Sequence, residues 1–179
     1  RYDAYNILNF KLKTNDGKTA TNQNIKTIVE YQNYLILGTD KGLYTLEKES
    51  YLIKPFQNNL QSTTRITTLL IDKKNRLWVG SDNGIVVYNK DLSIIQNYQD
   101  DHNPIYKIPS GTVNTIFEDK KGNIWVAIWE QGLFKLDIQT NQFIAYPKLG
   151  TRNNPFKLFE DHNKQLWVCT WGDGVYLFN

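Results

Sequence analysis

One short pattern occurs four times along this chain, and it constrains the fold more than any other feature. Each copy is a strand-like run followed by a short turn and a glycine. The runs are Tyr34-Leu35-Ile36-Leu37-Gly38, Arg76-Leu77-Trp78-Val79-Gly80, Asn123-Ile124-Trp125-Val126-Ala127 and Gln165-Leu166-Trp167-Val168-Cys169, and the glycines are Gly42, Gly84, Gly132 and Gly174. Successive runs are 42, 47 and 42 residues apart. A period in the forties with short alternating strands is typical of β-propeller blades.

The third copy predicts a complete blade. Residues 113–118, 123–128, 133–138 and 142–146 alternate apolar and polar side chains and are separated by turn residues, so they predict strands A to D of an antiparallel meander. Each strand D is marked by an apolar residue three positions before an aromatic one. These pairs are Ile53 and Phe56, Ile95 and Tyr98, Phe143 and Tyr146, and, near the N-terminus, Ile7 and Phe10. The predicted order is D, ABCD, ABCD, ABCD, ABC.

This order gives the expected domain organisation. We predict an all-β fold with about four blades' worth of four-stranded antiparallel meanders, forming one propeller segment over residues 1–179. Its parts are a strand D plus linker (1–21), blade 1 (22–58), blade 2 (59–100), blade 3 (101–148) and blade 4 (149–179), which lacks strand D. The chain contains no Met, and we expect it to be a fragment of a larger propeller.

The ends of the predicted order leave strand edges unpaired. Blade 4 has no fourth strand, and the first strand has no blade, and such edges readily pair with another chain. We therefore expect Tyr5–Phe10 either to close the ring beside Val175–Phe178 or to add to a neighbouring molecule. Self-association, as a homodimer or by strand exchange, is the expected consequence.

Composition excludes several classes of function. The net charge is +3, and the 21 Lys and Arg are scattered among 18 Asp and Glu, so no basic stripe predicts nucleic-acid binding by this segment. No apolar run is long enough for a membrane-spanning helix. The single cysteine, Cys169, shares its position with Gly80 and Ala127, which predicts a small buried residue. His102 and His162 have no ligand spacing around them, and no nucleotide loop or nucleophile elbow is present, so we predict no metal, cofactor or catalytic residue.

Two sets of tryptophans occupy different positions in the repeat. Trp78, Trp125 and Trp167 share one place in strand B, which favours packing between blades over three separate binding sites. Trp129 and Trp171 instead lie in the turn between strands B and C. These two indoles either form an aromatic surface for a ligand or fold back over the central channel as packing.

A polar surface is expected beside the second tryptophan pair. Turns between strands B and C share one propeller face with the connections from D to A, and the polar residues predicted there are Arg65, Arg152, Asn154 and Asp173. Together with Trp129 and Trp171, they suggest a surface that stacks on sugar rings or holds anions. The long connection from Tyr98 to Thr112 is either an exposed loop or a further binding loop on this face.

Several of these segments resemble the two-component regulator propeller repeat. The resemblance rests on residues 112–125, on Trp78-Val79-Gly80-Ser81 with Gly84, and on residues 167–174, and it covers nearly all of the chain. The first copy departs from the pattern, because Ile36 replaces the tryptophan and its turn between strands A and B is one residue shorter.

The resemblance implies a sensor. Such repeats form the periplasmic region of hybrid two-component proteins, which continue into a membrane span and a histidine kinase, bind oligosaccharides and dimerise. It therefore implies that this segment is a non-enzymatic, ligand-sensing part of a membrane-anchored receptor, with signalling through dimer rearrangement. Two alternatives stay open: a structural or protein-docking propeller segment, and a propeller lyase or hydrolase, for which Glu130, Asp173, Asp101 and His102 are the candidate acid and base groups.

Overall fold

The fold is seen in a computed structural model that describes residues 9–12, 17–19, 24–56, 64–98 and 108–178. Blade one comprises β1 (Ile25–Tyr31), β2 (Tyr34–Thr39), β3 (Gly42–Glu47) and β4 (Ile53–Pro55). Blade two comprises β5 (Ile66–Ile71), β6 (Leu77–Ser81), β7 (Gly84–Tyr88) and β8 (Ile94–Asn97), and blade three comprises β9 (Val113–Glu118), β10 (Ile124–Ile128), β11 (Gly132–Asp137) and β12 (Gln142–Ala145). Blade four comprises β13 (Pro155–Glu160), β14 (Leu166–Thr170) and β15 (Val175–Phe178). None of these described residues forms a helix that could cross a membrane.

Each blade is an antiparallel meander in which neighbouring strands follow one another in the chain. The first strand of every blade carries an irregularity at the same place, opposite the end of the second strand. Ile25, Ile66, Val113 and Pro155 pair there with Thr39, Ser81, Ile128 and Thr170. This shared register aligns the four blades residue by residue, and the all-β blade prediction is confirmed.

The blades are arranged side by side through their first strands. β1 contacts β5, β5 contacts β9, and β9 contacts β13, so the first strands lie innermost. We call the face of a blade that contacts the following blade its front, and the opposite face its back. Alternating side chains of each strand point to the two faces, and the core lies between a front and the next back. Between blades two and three, for example, Trp78 and Ile85 pack with Ile116 and Val126.

The arc of blades is not closed into a ring. Phe159 and Val175 on the front of blade four are 62% and 60% exposed, and Ile28 on the back of blade one is 55% exposed. The predicted closing strand lies mostly outside the described residues; its last residue, Phe10, is not in a strand and stacks on Tyr51 of blade one with ring centroids 5.1 Å apart.

The prediction that Cys169 is buried is wrong. Its thiol-bearing side chain is free and only partly buried. At the equivalent position Ala127 is fully buried, because the back of the next blade covers it. Cys169 lies on the front of blade four, where no described residue supplies that cover.

Each strand-B tryptophan is held by an aspartate six residues earlier. The indole Nε1 atoms of Trp78, Trp125 and Trp167 donate hydrogen bonds to the carboxylates of Asp72, Asp119 and Asp161 at 2.8, 2.9 and 2.9 Å. Trp78 and Trp125 are buried between blades, whereas Trp167 is partly exposed. Blade one lacks this pair, because Tyr31 occupies the position of the aspartate and Ile36 that of the tryptophan.

A second repeated contact joins the turns between strands A and B of neighbouring blades. The Lys73 Nζ atom donates to the carbonyls of Asp119 and Lys120, and the Lys73 amide donates to Glu118. One blade further on, Lys120 makes the same contacts with Glu160 and with the carbonyl of Asp161. At each of these two junctions, one lysine and one glutamate therefore join the turns between strands A and B of the neighbouring blades.

Candidate ligand-binding face

One backbone contact fixes the face on which the turns between strands B and C lie. The amide nitrogens of Asp82, Trp129 and Trp171 donate to the carbonyls of Arg65, Thr112 and Asn154 at 3.2, 2.9 and 2.8 Å. These acceptors directly precede the first strands of their blades. The turns and the entries to the innermost strands therefore share one end of the arc.

Trp129 and Trp171 lie together on this face. Their rings meet edge to face with centroids 6.2 Å apart, although they belong to different blades. Phe156 extends the group, with its ring centroid 5.8 Å from that of Trp171. Trp171 is 57% exposed and Trp129 is partly buried. The result is a small aromatic platform that is anchored at one side and open to solvent at the other.

Sequence reasoning missed Phe156 as part of this platform. It follows Pro155 in the innermost strand, where the equivalent residues of blades two and three are Thr67 and Asn114. Those two donate to backbone carbonyls of the following blade, Thr67 to Val113 and Asn114 to Pro155. A phenyl ring cannot donate this hydrogen bond. The change from a polar residue to Phe156 at this repeat position was the sequence signal that could have identified it.

Asn154 connects the two tryptophan turns. Its side-chain oxygen accepts a 2.8 Å hydrogen bond from the amide of Glu130, and its backbone carbonyl accepts from Trp171. Asn154 is buried, and among the described residues no acceptor is found for its Nδ2 atom. Glu130 has a left-handed backbone conformation, with φ of 60°. The Asn154 contact holds this turn in a conformation that is unusual for a residue with a side chain.

Asp173 and Arg152 meet at the turn that carries the exposed indole of Trp171. The Asp173 carboxylate accepts hydrogen bonds from the Arg152 amide and from the Thr151 hydroxyl, both at 3.0 Å. These bonds, the Arg152 amide first, hold the pKa of Asp173 below its usual range, so the group is a carboxylate at neutral pH. The Arg152 guanidinium rests on Gly172, where an added Cβ atom would come within 2.7 Å of Nη1.

The structure does not bring every predicted residue to this site. Arg65 is exposed at the entry to blade two, where its carbonyl accepts a hydrogen bond from the Asp82 amide. No described contact joins Arg65 to Trp129 or Trp171. Asp101 and His102 lie outside the described residues, as does most of the connection from Tyr98 to Thr112. The assembled group is therefore Trp129, Trp171, Arg152, Asn154 and Asp173, to which Phe156 and Glu130 are added.

This group is suited to binding, since it combines an apolar surface with charged hydrogen-bonding groups. An exposed indole can stack on the C–H face of a sugar ring, while Arg152 can donate to hydroxyls and Glu130 and Asp173 can accept from them. Within the described part of the chain, no group of His, Cys, Asp and Glu side chains could hold a metal ion.

Parts of blades two and three match the model of a known sequence family. Residues 59–83 and 107–130 match the family model described as the two component regulator propeller. These matches confirm the resemblance seen in the sequence. No curated protein matches the chain significantly.

Solved structures with the same fold include the extracellular domains of two hybrid two component systems. The extracellular domain of BT3049 of B. thetaiotaomicron, described as a hybrid two component system, aligns with a TM-score of 0.68 and 20% identity over 86% of this chain and 20% of that one. The extracellular domain of BT4673 of the same organism aligns with a TM-score of 0.55 and 21% identity over 89% of this chain and 29% of that one. This chain thus spans less than a third of either domain.

An enzyme also shares the fold. Virginiamycin B lyase from Staphylococcus aureus aligns with a TM-score of 0.64 and 11% identity, covering 93% of this chain and 61% of the lyase. At such identities the likenesses establish the propeller fold. They do not by themselves transfer an activity, because propellers support many unrelated functions.

Proposed function

We propose that this chain is a ligand-sensing propeller segment of a hybrid two-component sensor, and that its ligand is an oligosaccharide. The two family-matched repeats and the likeness to extracellular sensor domains support the sensor class. The observation that carries the ligand class is the exposed Trp171 ring, which is placed against Trp129 in a turn whose Asp173 is bonded to the Arg152 amide. The parent protein would hold this segment in the periplasm, anchored to the inner membrane, with a histidine kinase on the other side.

Signalling would follow from where the platform lies. Trp129 and Trp171 come from blades three and four, and Asn154 ties their turns together. A sugar lying across both rings would make contacts that depend on the relative position of the two blades. Such a ligand shifts the equilibrium between two receptor dimer arrangements by as much as its affinities for them differ.

The proposal is tested by ligand-dependent thermal stability. Hexasaccharides of xylose, mannose, arabinose and glucose would be added one at a time, and the melting temperature followed over a concentration series. A saturable rise is expected with at least one sugar, and Trp171→Ala and Trp129→Ala should abolish it. Tyr51→Ala removes an equally exposed aromatic ring from blade one and should leave the rise intact.

The same experiment separates the alternatives. A protein-docking or purely structural segment would show no saturable rise with any sugar. Cleavage of a sugar during the assay would favour a lyase or hydrolase instead. An enzyme would need a proton donor on this face, and Asp173 is a poor one because its pKa is lowered.

A further inference from the structure

One buried side chain on the candidate face has a hydrogen-bonding atom that the described protein does not use. Asn154 is 5% exposed, and its Oδ1 atom accepts a hydrogen bond from the Glu130 amide at 2.8 Å. Among the described residues, its Nδ2 atom has no acceptor. A buried donor without a partner is costly, and most buried polar groups in native proteins have one. This atom therefore indicates a partner from outside the described residues.

The junction that contains Asn154 is complete within the chain. Asn154 precedes the first strand of blade four, and its side chain reaches back to the turn of blade three. The core of the same junction is closed, since Ala127 and Leu133 on the front of blade three are 0% and 1% exposed. The unpaired donor therefore does not result from the open faces at the two ends of the arc.

Blade one shows how an asparagine at this position is satisfied internally. The Asn24 carbonyl accepts from the Asp40 amide at 3.2 Å, as the Asn154 carbonyl accepts from the Trp171 amide at 2.8 Å, so the two asparagines are equivalent. The Nδ2 atom of Asn24 donates to the Asp40 carboxylate at 3.0 Å. In blade four the turn residue is Trp171, whose indole donates a hydrogen bond but accepts none. The exchange of aspartate for tryptophan removes the internal acceptor and puts an aromatic surface in its place.

The free Nδ2 atom of Asn154 lies where the two tryptophan turns meet. Its Oδ1 atom is bonded to the amide that follows Trp129, and its carbonyl is bonded to the amide of Trp171. Nδ2 shares one carbon atom with Oδ1 and therefore lies at the same place. The side chains of Arg152 and Glu130 are exposed, so water satisfies them when no ligand is bound. Asn154 is the buried polar group of this site.

We propose that Asn154 determines the specificity of the site by donating a hydrogen bond from Nδ2 to an oxygen atom of the saccharide that lies on Trp171 and Trp129. This role rests on the proposed function, since it needs a saccharide on the platform. Stacking on indole rings tolerates many sugars. A sugar without an oxygen at the right place would leave the buried donor unpaired, and sites built in this way reject such analogues strongly.

Asn154→Asp separates this role from a structural one. The carboxylate keeps an oxygen for the Glu130 amide, but it replaces the donor with a second acceptor. Isothermal titration calorimetry would use the hexasaccharides of xylose, mannose, arabinose and glucose. For each one that binds the wild-type chain, the dissociation constant should rise by about tenfold or more in the variant, while the circular dichroism spectrum stays that of the wild-type chain.

Asn163→Asp is the matched control. It makes the same change in an exposed turn at the opposite end of blade four, between its first and second strands. The dissociation constant of each hexasaccharide should stay at its wild-type value in this variant. An equal loss of affinity in both variants would mean that the added charge, and not the missing donor, weakens binding, and would overturn the role of Asn154.

The side-chain amide of Asn154 reports the contact directly, without any substitution. Its proton–nitrogen correlation signals, assigned by triple-resonance NMR of the wild-type chain, should move on saturation with a hexasaccharide that binds. The signals of Asn24 are the internal control, because its Nδ2 atom is already bonded to Asp40, and they should stay in place. This measurement decides the matter even if Asn154→Asp does not fold.

The failure of this role is distinguishable from the failure of the proposed function. Unchanged affinity in folded Asn154→Asp protein, or Asn154 signals that stay in place at saturation, would overturn the role of Asn154. The proposed function would stand in that case, provided that Trp171→Ala still abolished binding. Absence of binding by all four hexasaccharides would overturn both.

Discussion

The indole N–H of Trp78 donates a 2.8 Å hydrogen bond to the carboxylate of Asp72, which lies at the start of the preceding turn. The same carboxylate accepts the amides of Lys74 and Arg76 and the Arg76 side chain. One buried group therefore fixes both the turn and the orientation of the ring that packs against the next blade. Local turn structure and the core between blades are a single unit in this fold.

Acid should unfold the protein through these aspartates. Burial raises the pKa of Asp72 and Asp119, but hydrogen bonds from the tryptophan, the turn amides and the side chains of Arg76 and Asn123 outweigh it, and each pKa lies below its ordinary value. A group with a depressed folded-state pKa contributes stability that is complete above the unfolded value of about 3.9 and is lost as the pH falls through the folded value. Urea unfolding should therefore give a constant free energy from about pH 7 to pH 5 and a steep decline below.

Asp119→Asn is the matched control for this pH dependence. The amide cannot carry the charge, so the variant should lose about 1–3 kcal/mol at pH 7 and should decline less steeply between pH 5 and pH 3. A slope equal to that of the wild-type chain would show that other groups control acid unfolding.

Replacing a strand-B tryptophan should have an effect that depends on its blade. Trp78 is 1% exposed, and Trp78→Ala should lower the free energy of unfolding by about 3–5 kcal/mol, because it leaves a cavity between blades two and three. Trp167→Ala, which removes the partly exposed ring of blade four, should cost clearly less. Equal losses at both positions would contradict the assignment of Trp78 to a junction between blades. Chemical denaturation of both variants measures the difference.

The repeat made much of this fold predictable from the sequence. The strand runs around Trp78, Trp125 and Trp167 and the turn glycines define three strands per blade, because the alternation has a period of two and the turns need special residues. The aspartate partners were missed, although Asp72, Asp119 and Asp161 stand at the same six-residue spacing before their tryptophans. Their role depends on a side chain folding back across a turn, which alternation does not encode.

The candidate site could be predicted only in outline. The equivalent turn positions of Trp129 and Trp171 in adjacent blades place both rings on one face. Burial of Asn154 and the capture of the Asp173 carboxylate by Arg152 and Thr151 depend on how two connections fold against each other. Those connections differ between the blades, so the repeat carries no information about them.

The lysine contacts between turns should contribute measurably to stability. Lys73 Nζ donates to the carbonyls of Asp119 and Lys120 at 2.7 and 2.9 Å. Lys73→Ala should therefore lower the free energy of unfolding by about 1 kcal/mol, since hydrogen bonds of a partly exposed charged donor are worth this order. Lys74→Ala is the control, because that neighbouring side chain is also exposed and has the same charge, whereas the described contacts to the next turn come from the Nζ atom of Lys73. Urea titrations of the two variants at equal ionic strength make the comparison, and equal effects would argue against the contact.

Gly80 should resist even the smallest enlargement. A Cβ atom there would lie 2.5 Å from Thr68 Cγ2 and 2.9 Å from Val113 Cγ1, both closer than ordinary contact. Gly80→Ala should therefore force blades two and three apart and cost about 1–3 kcal/mol, although alanine has the better strand propensity. Cys169→Ala is the comparison, because it alters the same register position where the side chain is only partly buried, and it should change the free energy of unfolding by less. Thermal unfolding compares them, and a stabilised Gly80→Ala protein would mean that the junction between blades two and three can widen without loss.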